Sequence, residues 1–378
     1  MTYQKILALL LAFCLLLSLA ACKKEEEEPE IPEEPVDPNF PITLELEQET
    51  LTLHEAPDSV VSLSPAITAL FYDLGEEGIL DGVSSYAPNF ADGKTDCGTA
   101  QNVDLEVVKK LSPDLLFTDT ILLDHQLTAL QQMGAEVLYI PRPQQVDELY
   151  DRAELILLAL YGKEDGAKKA EEFAAIWDEA WEPLNMFSEE EKVSALLLAD
   201  LDLAATGDVW EGQLLDSLSL NNLANEGSDW QLPEVQTAED GSKTYLYGET
   251  VVEWNPAIIF YNSELDVESI KTSELYMNTD AVVNGALYPI DWSVLQMQDM
   301  ELPELLGTMV EQVYPEQWAE VLDVIAERNA AEEAAAQAAA EAEAAASAEK
   351  KNKRKSAANA ALFFAKIQFY GRKSVKFG

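Results

Sequence analysis

Apolar and polar positions along this chain change period several times, and each change marks an element. Residues 6–20 run almost unbroken apolar behind a single positive charge at Lys5. That run is too short to span a bilayer comfortably and has the layout of a secretory signal. Residues 43–47 and 50–53 alternate with period two, which predicts an opening hairpin. Ser59-Val60-Val61-Ser62-Leu63 predicts a buried strand, followed by Pro65 at a first helical position and a helix over 66–74 that Gly75 ends. Leu115–Thr118 is the next strand. Residues 126–133 then read as a helix stopped by Gly134, and 136–140 as a strand stopped by Pro141. Strands alternating with helices predict parallel sheets covered on both faces.

Residues 163–184 keep a different rhythm. Ala167, Ala170, Phe173, Trp177, Ala180 and Leu184 recur three or four apart, which predicts one long amphipathic helix of roughly 33 Å. A second α/β segment follows, with strands over 193–199 and 257–260 and a closing helix over 302–313. Residues 330–348 are mostly Ala and Glu, a good helix former without an apolar stripe wide enough to bury. A basic run from Lys350 to Lys355 and an aromatic end follow, so 328–378 reads as a solvated low-complexity tail outside the fold.

Charge narrows the function classes. The chain has 70 Asp and Glu against 24 Lys and Arg, and nine of those basic residues lie in 331–378 beside only five acidic ones. Residues 1–330 therefore hold 65 acidic and 15 basic residues, a surface that repels nucleic acid and keeps the chain a monomer. Of three cysteines, Cys14 lies in the signal and Cys22 at its end, so Cys97 has no partner for an intrachain disulfide. Proline and like charge make 23–41 an extended acidic spacer.

Two segments 143 residues apart resemble each other, 105–117 and 248–260. Each reads as a short helix opening with a glutamate (Glu106, Glu249), a turn at proline and a buried strand. Two similar βα units with a chance glutamate would look the same as a pseudo-twofold body that presents one carboxylate per lobe.

Two resemblances add to this reading. The ending Leu19-Ala20-Ala21-Cys22 resembles the bacterial lipobox. It implies lipidation of Cys22 and anchoring at the extracytoplasmic face of the cell membrane. The stretches Val60 to Thr68, Gly82-Val83-Ser84-Ser85-Tyr86, the Glu106 segment, Leu127 to Gly134, the 163–184 helix, Asn221-Asn222-Leu223-Ala224 and the Glu249 segment run in order through 43–325. In that order they resemble the ABC-transporter substrate-binding proteins for iron chelates and cobalamin. The resemblance implies an α/β fold of two lobes with mainly parallel sheets joined by one long helix. The implied division is a signal peptide over 1–22, a linker over 23–41, an N-terminal lobe over 42–145, a lobe edge and connecting helix over 146–188, a C-terminal lobe over 189–327 and a tail over 328–378. It also implies that Glu106 and Glu249 meet arginines of an ABC permease, which works with an ATPase.

In such a fold the ligand sits between the lobes, against loops at the carboxyl ends of strands. The candidates are Ser64, Pro65, Tyr86, Asp119, Arg142, Asp208, Trp210, Asn262 and Trp292. Tyr86 stands where cobalamin binders carry an aromatic. Ala100 and Asp119 stand where those proteins carry further tryptophans, a departure from the cobalamin pattern. Only His54 and His125 exist, which argues against a free transition-metal site. Only Arg142, Arg152 and Arg328 precede residue 331, so the ligand expected is a neutral or cationic chelate such as a hydroxamate siderophore, or a tetrapyrrole such as haem or a corrinoid. No phosphate-binding glycine loop, nucleophile elbow or HExxH is present, so no catalytic residue and no cofactor is expected. Two other readings stay open: a surface lipoprotein that binds a protein or cell-wall partner without transport, and a glycan hydrolase using two carboxylates.

Overall fold

The computed structural model describes residues 37–46, 50–87, 91, 93–146, 148–207, 209–226, 235–237, 243–245 and 254–373. The chain opens with the antiparallel hairpin β1 (Ile42–Glu45) and β2 (Thr50–Leu53), in the register Ile42 to Leu53. Strands β3 (Val60–Ser62), β4 (Leu80–Val83) and β5 (Thr95–Asp96) follow. A short ladder pairs β6 (Gly98–Thr99) with β7 (Asn102–Val103). Then come β8 (Leu115–Thr118) and β9 (Glu136–Tyr139). The first sheet has the order β5-β4-β3-β8-β9, parallel throughout. The order reverses between β3 and β8, which opens a crevice at their carboxyl ends.

The second sheet is built from β10 (Val193–Asp200), β11 (Leu203–Ala204) and β12 (Leu220–Asn222). A separate ladder pairs β13 (Val235–Thr237) with β14 (Lys243–Tyr245), and β15 (Ile258–Asn262) and β16 (Leu287–Ile290) complete the sheet. Its order is β11-β10-β15-β16, with β12 also paired to β10 and only β11 antiparallel. The strand order turns between β10 and β15, so this sheet has its own crevice.

Alternating residues fill the two faces of each sheet. Leu115 and Phe117 of β8 join one cluster and Leu116 the cluster on the opposite face. Leu197 and Phe260 likewise face one side, and Leu196 and Ile259 the other. The inward cluster is continuous: it takes in Val60 and Phe117 of the first sheet, Phe173 and Trp177 of the connecting helix, and Leu197 and Phe260 of the second sheet. Each such side chain, fully removed from water, contributes about 1.5–3 kcal/mol.

The connecting helix spans Glu148–Met186, longer than its apolar spacing predicts, and it is broken at Gly162 (φ 74°). That backbone conformation suits glycine, and a Cβ there would strike the Asn39 carbonyl. Asn39 repairs the break. Its Oδ1 accepts from the N–H groups of Glu164 (3.0 Å) and Asp165 (2.9 Å), and its backbone carbonyl accepts from Lys163. It thus caps the second half of the helix from outside. Phe40 is buried in the core beside it. The expectation of a free spacer through residue 41 is corrected here: residues 37–41 are docked, because Asn39 satisfies helix N–H groups and Phe40 buries a ring.

The repeat is visible in the backbone. Ser112 (φ 51°) and Asn255 (φ 42°) occupy equivalent positions, both left-handed, each just before a proline that starts the turn into a buried strand. A left-handed residue followed by proline is a common way to end a helix. Beyond Trp318, which packs in the core, the helix Pro315–Lys373 turns outward and its side chains are exposed from Glu327 to Ser347. No described helix is long and apolar enough to cross a membrane.

Candidate functional site

Ser64 and Asp119 stand at the carboxyl ends of β3 and β8, where the strand order of the first sheet reverses. Ser64 follows β3 and caps the helix Pro65–Asp73, its Oγ accepting from the Ile67 N–H at 3.1 Å. The same hydroxyl donates to Asp119 Oδ2 at 2.6 Å, which ties the ends of β3 and β8 together. Pro65 is the first helical residue, where its missing N–H costs nothing. Asp119 also receives two guanidinium groups, Arg142 Nε and Arg152 Nη2, each at 3.5 Å.

These arginines are not alike. Arg142 lies on the loop after β9, is 46% exposed, and its Nη2 donates across to the Gln296 carbonyl at 2.7 Å. Arg152 sits in the first half of the connecting helix and is fully buried. Burial lowers its pKa to about 10, although Asp119 pulls the other way. Its Nη1 approaches Gln298 Oε1 at 3.5 Å, and Gln298 Nε2 donates back to the Pro143 carbonyl at 3.3 Å. The carboxylate at the crevice floor is thereby linked to the segment that leaves the second sheet. A second link lies beside it: Asp73, at the far end of the Pro65–Asp73 helix, accepts from the Met300 N–H at 3.0 Å. Burial, with Asp299 and Glu301 close by, pushes its carboxyl up to about 7. Glu211 is also buried and its pKa is raised for that reason, while Arg142 pulls it down.

The remaining candidates divide. Tyr86 follows β4 and is 73% exposed, the most exposed large apolar side chain among the described residues, while its backbone N–H is held by Ser84 Oγ at 3.3 Å. Asn262 ends β15 at the turning point of the second sheet, its Nδ2 donating to the Ala199 carbonyl at 3.4 Å. Trp292 opens the helix Trp292–Met297, half-buried against the core. Asp208 and Glu249 lie outside the described residues, as does Cys22. Glu106 is exposed on the first turn of the helix Leu105–Leu111, which Asp104 caps.

Trp210 is placed differently from the expectation of a platform at strand ends. It is buried, and its Nε1 donates to the Leu295 carbonyl at 3.2 Å. It forms a wall of a separate groove with Trp177 and Trp181, and in the same helix Gly212 lies against the Thr206 carbonyl, where a Cβ would not fit. Sequence reasoning gave Arg152 and Gln298 no role. A lone arginine on an amphipathic helix has the pattern of a solvated residue, and no spacing signals that it turns inward to Asp119. Among the described residues, no group of three or more His, Cys, Asp or Glu is placed to hold a metal ion.

The chain is similar to known proteins over most of its length. The chain is 24% identical over 296 residues to the uncharacterized ABC transporter substrate-binding lipoprotein YvrC of Bacillus subtilis, covering 74% of this chain and 88% of that one. It is 24% identical over 200 residues to the Fe(3+)-citrate-binding protein YfmC of the same organism, covering 52% of this chain and 59% of that one. Among solved structures, the periplasmic heme-binding protein HutB of Vibrio cholerae superposes with a TM-score of 0.58 at 18% identity, over 68% of this chain and 99% of that one. At that identity the likeness speaks for the fold. Residues 60–293 match the family profile described as periplasmic binding protein, more than half of the chain, and the chain therefore belongs to that family.

Proposed function

We propose that this protein captures an iron chelate, or a related tetrapyrrole or corrinoid, outside the cytoplasm and delivers it to an ABC importer without catalysing a reaction. The observation that carries the reading is the parallel sheet whose order reverses between β3 and β8, with Ser64 joined to Asp119 at those strand ends and exposed Tyr86 after β4. The names of the relatives, one a ferric-citrate binder and one a heme binder, support the chelate class. In this reading Asn262 and Trp292 line the opposing lobe, and Asp208 is kept as a candidate contact.

The arginines narrow the ligand further. Arg142 and Arg152 are both turned to Asp119, and Arg328 pairs with Glu182. No arginine before residue 331 is thus left uncommitted for an anionic catecholate, which favours a neutral or cationic chelate such as a ferric hydroxamate. Cys22 would hold the protein to the membrane by lipid, as a monomer. Exposed Glu106, with Glu249 as its counterpart, would face permease arginines. In this reading the lobes keep the expected division, 42–145 and 189–327 joined by 146–188, with Asn39 docked on the connecting helix.

Tryptophan-fluorescence titration of the purified protein with ferric hydroxamate, ferric citrate, haem and cobalamin tests this reading. Saturable quenching by one of them, weakened by Tyr86→Ala, is expected. No response to any of the four would overturn it.

A further inference from the structure

The helix Pro315–Lys373 changes character once it leaves the body. Trp318 packs in the core, and Arg328 pairs with Glu182 of the connecting helix. From Glu327 to Ser347 the side chains are exposed, and so are Lys350, Lys351, Lys353, Arg354 and Lys355. Charge changes sign along this outgoing stretch. Residues 331–349 hold five acidic residues and no basic one, whereas 350–378 hold nine basic residues and no acidic one. The chain before them has 65 acidic residues against 15 basic, so the basic end is the reverse of everything it is attached to.

The basic run leads into an apolar one. Leu362, Phe363, Phe364, Ile367, Phe369 and Tyr370 are six large apolar or aromatic residues in nine, with Lys366 the one charge among them. At helical spacing Phe363, Phe364, Ile367 and Tyr370 fall on one face, which Lys366 and Lys373 border. The acidic body is too far away to be the partner of this end. From Arg328 to Lys350 the helix rises about 33 Å, roughly four screening lengths at physiological salt. A soluble anionic polymer would satisfy the lysines and leave the aromatic face in water. An anionic bilayer satisfies both, with phosphates for the lysines and an interface into which aromatic rings settle. No described helix is long and apolar enough to cross a membrane, so this end would lie on the surface.

We propose that residues 350–373 form a second membrane contact that docks on anionic phospholipid. The proposal is independent of what the crevice binds. Its consequence is positional: an anionic surface repels the acidic body, and the basic end supplies the attraction that holds the body beside it. The lengths allow it. Residues 23–36 span at most about 46 Å, so a body tethered at Cys22 stays within reach of the same bilayer that its outgoing helix touches.

The test uses the full chain with Cys14→Ser, Cys22→Ser and Ala360→Cys, the last labelled with bimane; Cys97 is buried and stays unlabelled. The apolar run 6–20 keeps this chain on vesicles in every arm, so quenching of the label by nitroxide-bearing lipid is read rather than bulk binding. Strong quenching is expected in phosphatidylcholine vesicles containing phosphatidylglycerol, and little in phosphatidylcholine alone. Changing Lys350, Lys351, Lys353, Arg354 and Lys355 together to Gln, an equally good helix former, should lower the quenching about tenfold or more. Phe363→Gln with Phe364→Gln should lower it about fivefold. Matching melting curves would show that the body is intact in each variant. The proposal is overturned by no quenching on either vesicle, by equal quenching on both, or by undiminished quenching in the five-glutamine or the double-phenylalanine variant. A label already shielded without vesicles would place this end on protein, and an emission shift with soluble polyglycerol phosphate but not with vesicles would make the partner a wall polymer; either result also overturns it.

Discussion

Asp119 holds together the floor of the crevice, and its removal should be far more damaging than removal of the arginine it neutralises. Its side chain is only 8% exposed and meets Ser64 Oγ, Arg142 and Arg152. Asp119→Ala leaves the fully buried Arg152 guanidinium without a countercharge, a situation that costs about 3–5 kcal/mol. The lost contact to half-exposed Arg142 adds under about 1 kcal/mol. Arg152→Met is a different perturbation. It removes the buried charge, and Asp119 keeps Ser64 and Arg142, so the expected loss is about 1 kcal/mol or less. The double variant Asp119→Ala with Arg152→Met should return to within about 1 kcal/mol of wild type, because no buried charge is left unpaired. Urea-unfolding midpoints followed by circular dichroism at neutral pH measure the series. Equal losses for Asp119→Ala and Arg152→Met, or strictly additive losses in the double variant, would refute the assignment of Asp119 as the counterion.

Three further outcomes are expected. The Asp73 carboxyl is raised from 3.8 to about 7 by burial and by Asp299 and Glu301, so the folded state holds its proton more tightly than the unfolded chain does. Stability should therefore be highest below pH 4 for this group and fall as pH rises to about 7, and Asp73→Asn should flatten that slope in melting temperature against pH. Asn39→Ala should cost about 1–2 kcal/mol in urea unfolding, since it uncaps the helix at Gly162; no loss would show that the cap is idle. Deleting 330–378 should leave melting temperature and ligand affinity unchanged, because Trp318 and the Arg328–Glu182 pair are retained; a drop of several degrees would show that the tail packs on the body.

Much of the fold is written in local patterns. The strand Leu115–Thr118 falls where its apolar run places it because all four residues are buried, and the helix Leu302–Val313 because its buried positions recur three or four apart between exposed Glu304, Thr308 and Glu311. The repeat was legible as well, since Ser112-Pro113 and Asn255-Pro256 punctuate both copies alike. Features fixed by contacts distant in sequence were not. The break at Gly162 depends on Asn39, more than a hundred residues earlier. Arg152 is buried only because Asp119 and Gln298 arrive from other elements, and Trp210 turns inward because Leu295 offers its carbonyl. The crevice residues Ser64 and Asp119 were accessible to sequence reasoning because strand ends can be counted, whereas their mutual hydrogen bond could not be.

The central claim is that an iron chelate binds in the crevice and is passed to a permease through the two lobe glutamates. Its most direct test is uptake of radiolabelled ferric trihydroxamate by vesicles holding the cognate transporter, with wild-type protein and with Glu106→Ala plus Glu249→Ala. Wild type should bind the chelate by equilibrium dialysis and drive its uptake, and the double variant should bind it equally well yet drive little. Loss of chelate binding in the double variant, or undiminished uptake with it, would contradict the account.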